Sequence, residues 1–189
     1  MTIPLRAHAL LSVLVGAPLV WEITRVDLSR PASYAFLLGC ALVAAAPWLA
    51  LRFRWWAGAL PAAAGVLGSA GLVLLADWLP ARPEVVNLPL VQVAGLIAVL
   101  VIVLRDAGPW GAALGATGLT LSAAAAAVAI QQWARVSPQL ATPHPPTVAG
   151  TAFLLFGGAL ALGVFLRSGY SAASRWTTGS MSLARIDRR

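Results

Sequence analysis

Pro47-Trp48-Leu49-Ala50-Leu51-Arg52-Phe53-Arg54-Trp55-Trp56-Ala57-Gly58-Ala59-Leu60-Pro61 sets two arginines within three positions, boxes them with three tryptophans, and lies between long apolar runs. An arginine at the centre of a bilayer helix costs about 2.5 to 3.5 kcal/mol on the mildest scale, whereas indole rings favour the headgroup zone. The stretch therefore reads as a short turn at a membrane surface, with Arg52, Arg54, Trp55 and Trp56 as topology and lipid anchors. The positive-inside rule assigns it to the cytoplasmic face, which fixes the direction of every apolar run on either side.

The composition agrees. Of 189 residues, 60% are hydrophobic and 10% charged, whereas a soluble domain carries about 25% charged residues. The net charge of +7 comes wholly from arginine, since the sequence holds no lysine. A basic balance of this kind is a nucleic-acid footprint only when the basic groups cluster on one folded surface. Here they punctuate apolar runs, so orientation in a bilayer explains them and nucleic acid is not an expected partner. The lack of lysine and the wealth of alanine, arginine and tryptophan suggest a genome of high GC content. The single cysteine, Cys40, lies inside an apolar run, which excludes an internal disulfide and a cysteine-based metal motif; it reads as a small core hydrophobe.

About 20 apolar residues are needed to cross the hydrocarbon layer. Six runs meet or approach that length, at about 7–23, 32–51, 56–76, 90–104, 110–133 and 147–166. Arg6 ahead of the short first run also fits a secretory signal peptide, but no small-x-small cleavage site follows the run before Glu22 and Arg25, so the run is read as a span. Prolines break the loops at 79–89 and 135–146, and Arg105-Asp106-Ala107-Gly108-Pro109 forms a tight turn between two antiparallel helices. With the amino terminus inside, nine arginines fall on the inner side, Arg105 and Arg167 among them, against four outside (Arg25, Arg30, Arg82, Arg135). The expected fold is thus all-α: a six-helix antiparallel membrane bundle over 1–167 in the plasma membrane, both termini cytoplasmic, followed by a basic, flexible tail over 168–189.

Chemistry is sparse. No acid, histidine or arginine falls near the middle of a predicted span, which counts against an ion-coupled transporter. Gln92, near the outer end of the fourth run, reads as an interhelical hydrogen-bonding group ahead of a ligand contact. His8 and His144 fall on opposite faces in this topology and cannot share a metal; His144, in the proline-rich outer loop, is a candidate for sensing external acidity. No phosphate-binding glycine loop, nucleophile elbow or paired-carboxylate set occurs, so no catalytic residue, cofactor or metal site is expected. Gly111, Gly115 and Gly118 share one face of the fifth span, and Gly65, Gly68 and Gly71 form a similar face on the third. Small residues let helices approach closely, so both faces are candidates for packing within the bundle or for homo-oligomer contact.

The Arg30-Pro31 entry to the second span, the Pro-Trp-Leu-Ala-Leu-Arg-Phe-Arg-Trp-Trp turn, the Arg105-Asp106 turn and a last span ending at Arg167 resemble the amino-terminal membrane domain of actinobacterial sensor histidine kinases of the nitrate-sensor/DesK-like type. The resemblance covers about residues 5–176. In that family the last span continues into a helical segment bearing the phosphoacceptor histidine and then an ATP-binding domain. No histidine follows His144 here, and no nucleotide-binding box is present. The resemblance thus implies a non-catalytic sensory input module, relaying a membrane or external signal to a cytoplasmic partner. An accessory subunit of a larger transport or assembly complex is the competing expectation.

Overall fold

The computed structural model describes residues 5–76 and 88–136, together with residues 157, 158, 160 and 163. Most of the expected sixth span, the tail, His144 and Arg167 lie outside the described residues. The described chain forms five helices: α1 (Leu5–Arg25), α2 (Pro31–Arg52), α3 (Trp55–Ala76), α4 (Leu90–Asp106) and α5 (Pro109–Val136). Three of them are long and apolar enough to cross a membrane, over Pro31–Arg52, Trp55–Leu75 and Pro109–Trp133. The outward faces are correspondingly apolar, with Leu75, Trp110, Leu10 and Leu114 among the most exposed side chains. A water-soluble monomer does not present so much contiguous apolar surface; this is a multi-pass membrane protein.

Local chemistry sets the boundaries. Pro31 and Pro109 open α2 and α5, because the first helical position needs no amide donor and proline's backbone angle suits it. The turn between α4 and α5 is therefore only Ala107-Gly108, shorter than the five residues expected. In the α2–α3 hairpin, Phe53 donates its amide to the Leu49 carbonyl and Ala57 bonds back to Arg54, so Phe53-Arg54 alone make the reversal. The α1–α2 loop is stitched by its own side chains: Ser29 N–H donates to Asp27 Oδ1 at 3.0 Å, and the Ser33 hydroxyl donates to the Asp27 carbonyl. The Ser29 bond holds the exposed Asp27 carboxyl below its usual range.

Contacts between helices fix their directions. Gln92, at the start of α4, meets Ser69 near the end of α3, and Glu22 near the end of α1 meets Leu90. Trp55, at the start of α3, lies against Gly111 and Gly115 at the start of α5. The five helices thus run alternately up and down. Arg52, Arg54 and Arg105 share one end of the bundle; Arg25 and Arg30 share the other.

Alpha4 is the axle. It packs against each of the other four helices, and eleven of its 17 residues are buried. Two apolar clusters fill the interior, one spanning α2 to α5 and the other joining α1 and α2 to α4; Leu96, Val99 and Val103 belong to the first, Val91 and Ala98 to the second. Ahead of the exposed Arg105 and Asp106, only the strip of Leu90, Ala94, Ile97 and Val101 is half-buried, and it is apolar like the buried faces, so the run is almost uniformly aliphatic.

Close approaches occur where side chains are absent. A Cβ on Gly65 would lie 2.7 Å from the Gly39 carbonyl oxygen, and one on Gly39 would lie 3.0 Å from that of Gly65, so α2 and α3 cross backbone to backbone there. Lower in the same hairpin, a Cβ on Gly58 would lie 2.5 Å from the Ala46 carbonyl oxygen. Pro47 has no amide to give the carbonyl of Val43, and that carbonyl faces Gly95 of α4, where a Cβ would come within 2.7 Å of its oxygen. Neighbouring helices commonly enclose a carbonyl that a membrane proline has released.

Candidate functional site: a buried polar cluster where α4 begins

Among the described residues, four polar side chains are sealed inside the bundle or nearly so: Glu22 (1% exposed), Ser33 (0%), Ser69 (3%) and Gln92 (0%). Ser33 lies apart, in the first turn of α2, bonded to the Asp27 carbonyl of the α1–α2 loop. Glu22, Ser69 and Gln92 gather with Cys40 around the first turn of α4, one each from α1, α3, α4 and α2.

The length of α4 explains the gathering. Its 17 residues span about 25 Å, against about 33 Å for the 22-residue α2 and α3. Gln92 meets Ser69 about two turns before the end of α3, and Cys40 about two and a half turns after the start of α2. The beginning of α4 is thus sunk below the ends of its neighbours. Leu88 and Pro89, which lead into it in extended backbone, are buried as well. Irregular backbone at membrane depth survives only where protein encloses it.

A sunken helix start brings unpaired amides with it. Glu22 meets that need from another helix: the Leu90 amide donates to its Oε1 at 2.8 Å. A carboxylate there also complements the positive end of the helix dipole. The Pro89 carbonyl accepts from the amides of Gln92 and Val93, completing the turn.

Gln92 carries the rest of the cluster. Its Nε2 donates to Ser69 Oγ at 2.6 Å and lies 3.9 Å from Cys40 Sγ. Ser69 passes the chain on by donating to the Gly65 carbonyl at 2.8 Å, with the Val66 carbonyl at 3.0 Å. The relay therefore runs from α4 through a hydroxyl to the backbone of α3, which is the interhelical bond expected of Gln92. At its far end, Gln92 Oε1 is buried and has no hydrogen-bond partner among the described residues. A buried acceptor left this way costs about 1 to 3 kcal/mol.

The remaining expected positions separate into two groups. Gly65, Gly111 and Gly115 sit at close approaches, the last two under the Trp55 indole, whereas Gly68, Gly71 and Gly118 meet no neighbour among the described residues. Arg52, Arg54 and Trp56 are exposed at the hairpin end, and Arg105 forms a two-pronged ion pair with Asp106 at 2.6 and 2.7 Å. At the opposite end the Arg25 guanidinium stacks over Trp21 at 5.6 Å, a pairing suited to an interfacial belt. Among the described residues, no three His, Cys, Asp or Glu side chains are grouped to hold a metal ion. The sequence reading did not find Glu22 as a helix cap, nor Gly39, Gly58 and Gly95 as crossing points. The proline at 47 held a signal for Gly95, since it releases the Val43 carbonyl into the bundle.

No protein-family model, curated protein or solved structure matches this chain.

Proposed function

We propose that the chain is the sensory or regulatory membrane module of a signalling protein, crossing the plasma membrane six times with both termini cytoplasmic. In this reading it passes a change in the bilayer or at its outer loops to a cytoplasmic partner. The observation that supports it most is the Gln92 amide, whose oxygen has no partner among the described residues, on the helix that packs against the other four described helices. A relay needs an element with two packings close in free energy. A buried amide with one partner on α3 and a spare acceptor offers such a pair: a small rotation of α4 exchanges the Ser69 bond for another and shifts every helix packed on it. The resemblance to the input domain of two-component sensor kinases points the same way.

An accessory role in a larger membrane assembly is the alternative, favoured by the glycine strip of Gly68 and Gly71 on α3, which no described residue covers and which a helix of another subunit could approach closely. Purification in mild detergent discriminates between the two. A stoichiometric cytoplasmic signalling partner supports the sensor reading, a set of membrane subunits supports the assembly reading, and a partnerless monomer contradicts both.

A further inference from the structure

A second feature lies at the opposite end of the bundle, on its outer surface. Between α3 and α5 runs a groove of about 350 Å³ whose walls are Trp56, Ala59, Leu60 and Ala63 on one side and Leu114 and Gly118 on the other. Its floor is the Trp55 indole, whose ring atoms stand 3.1 Å from the Cβ that Gly111 or Gly115 would carry. The only hydroxyl on its wall, that of Ser122, is turned inward to the Gly118 carbonyl at 2.8 Å. The groove is therefore apolar throughout. It extends from Trp55 to Ala63 along α3 and from Leu114 to Ser122 along α5, about 12 Å in each case. One leaflet of hydrocarbon is about 15 Å deep.

Where the groove opens, the chain has just turned through Arg52 and Arg54. Both guanidinium groups are exposed, and neither has an ion-pair or hydrogen-bond partner among the described residues. Arg105, at the same end, is already neutralised by Asp106. An apolar slot about one leaflet deep, lined by two indoles and leading from two cations without a partner among the described residues, is complementary in both halves to a single kind of molecule. We propose that this groove binds an anionic glycerophospholipid, its phosphate held by Arg52 and Arg54 and one acyl chain lying over Trp55 between α3 and α5. Zwitterionic lipids would share the apolar contact but not the net charge attraction. This site stands whether or not the chain signals.

The test uses the full chain in bilayer nanodiscs containing diazirine-acyl phosphatidylglycerol or the matching phosphatidylcholine probe, with adducts mapped by peptide mass spectrometry. Phosphatidylglycerol adducts are expected at residues 56–63 and 114–122, about 30-fold above phosphatidylcholine, equivalent to about 2 kcal/mol from two arginines. Gly118→Leu, whose new side chain enters open space, should remove these adducts while leaving labelling at the exposed Leu75 unchanged. Combined Arg52→Gln and Arg54→Gln should reduce phosphatidylglycerol labelling to the phosphatidylcholine level, and the paired Lys variants should restore it. Equal labelling by the two wild-type probes would reduce the groove to ordinary lipid contact and overturn the proposal. So would an unlabelled groove beside a labelled Leu75, the sign of cover by another copy or by residues 147–166. Groove labelling unchanged by Gly118→Leu would also overturn it.

Discussion

Gln92 and Ser69 make opposite demands on the same hydrogen bond. Ser69→Ala strips the Gln92 amide of its principal acceptor and leaves both ends of a buried side chain poorly paired, so a loss of about 1 kcal/mol is expected. Gln92→Leu removes the donor together with an Oε1 that has no partner among the described residues, and Ser69 keeps its bond to the Gly65 carbonyl; the change should be neutral or stabilising by about 1 kcal/mol. Thermal unfolding of the two variants in one detergent checks the order. If Gln92→Leu proves the more damaging, the amide is better satisfied than the contacts indicate. A buried polar residue that stability does not require is free to serve another role, and under the proposed function that role is movement of α4.

At the scale of elements, α4 depends on what its neighbours leave out and on what they supply. Gly95→Ala would drive a Cβ to 2.6 Å from Val43 Cγ1 and 2.7 Å from the Val43 carbonyl oxygen, an overpacking cost of about 1 to 3 kcal/mol. Gly68→Ala, facing open space on α3, should stay within about 0.5 kcal/mol of the parent. Equal losses at the two sites, read from the fraction surviving a heat step in detergent, would contradict the α2–α4 crossing. Glu22→Ala leaves the Leu90 amide unpaired at a sunken helix start and should cost about 1 to 3 kcal/mol; faster amide exchange confined to residues 90–93 is the accompanying signature. The positions of all five helices were legible from hydropathy, because the need to cover about 20 residues in lipid leaves few alternatives. The function of Glu22 was not, because its partner lies 68 residues away and no local pattern records a cap supplied by another helix. Gly68 and Gly118 share the spacing of Gly65 and Gly115, yet only the latter pair meets a neighbour. Spacing selects a strip of the helix, while the choice between bundle interior and lipid depends on rotations that the sequence does not state.

For the whole molecule, the decisive asymmetry is the separation of exposed arginines between the two ends of an up-and-down bundle. Arg52, Arg54 and Arg105 lie at one end with the α2–α3 and α4–α5 turns; Arg25 and Arg30 lie at the other with the α1–α2 loop. Under the proposed topology, the groove between α3 and α5 falls in the inner leaflet and the Glu22–Gln92 cluster toward the outer one. Thiol labelling tests it directly, because Cys40 is the only cysteine and is buried. In a Cys40→Ala background, Leu28→Cys, Phe53→Cys and Gly108→Cys each put one thiol in an exposed connection. With a membrane-impermeant maleimide on intact cells, Leu28→Cys should label at once, and Phe53→Cys and Gly108→Cys only after permeabilisation. Labelling of Phe53→Cys from outside, or of Leu28→Cys and Phe53→Cys from the same side, would contradict the account.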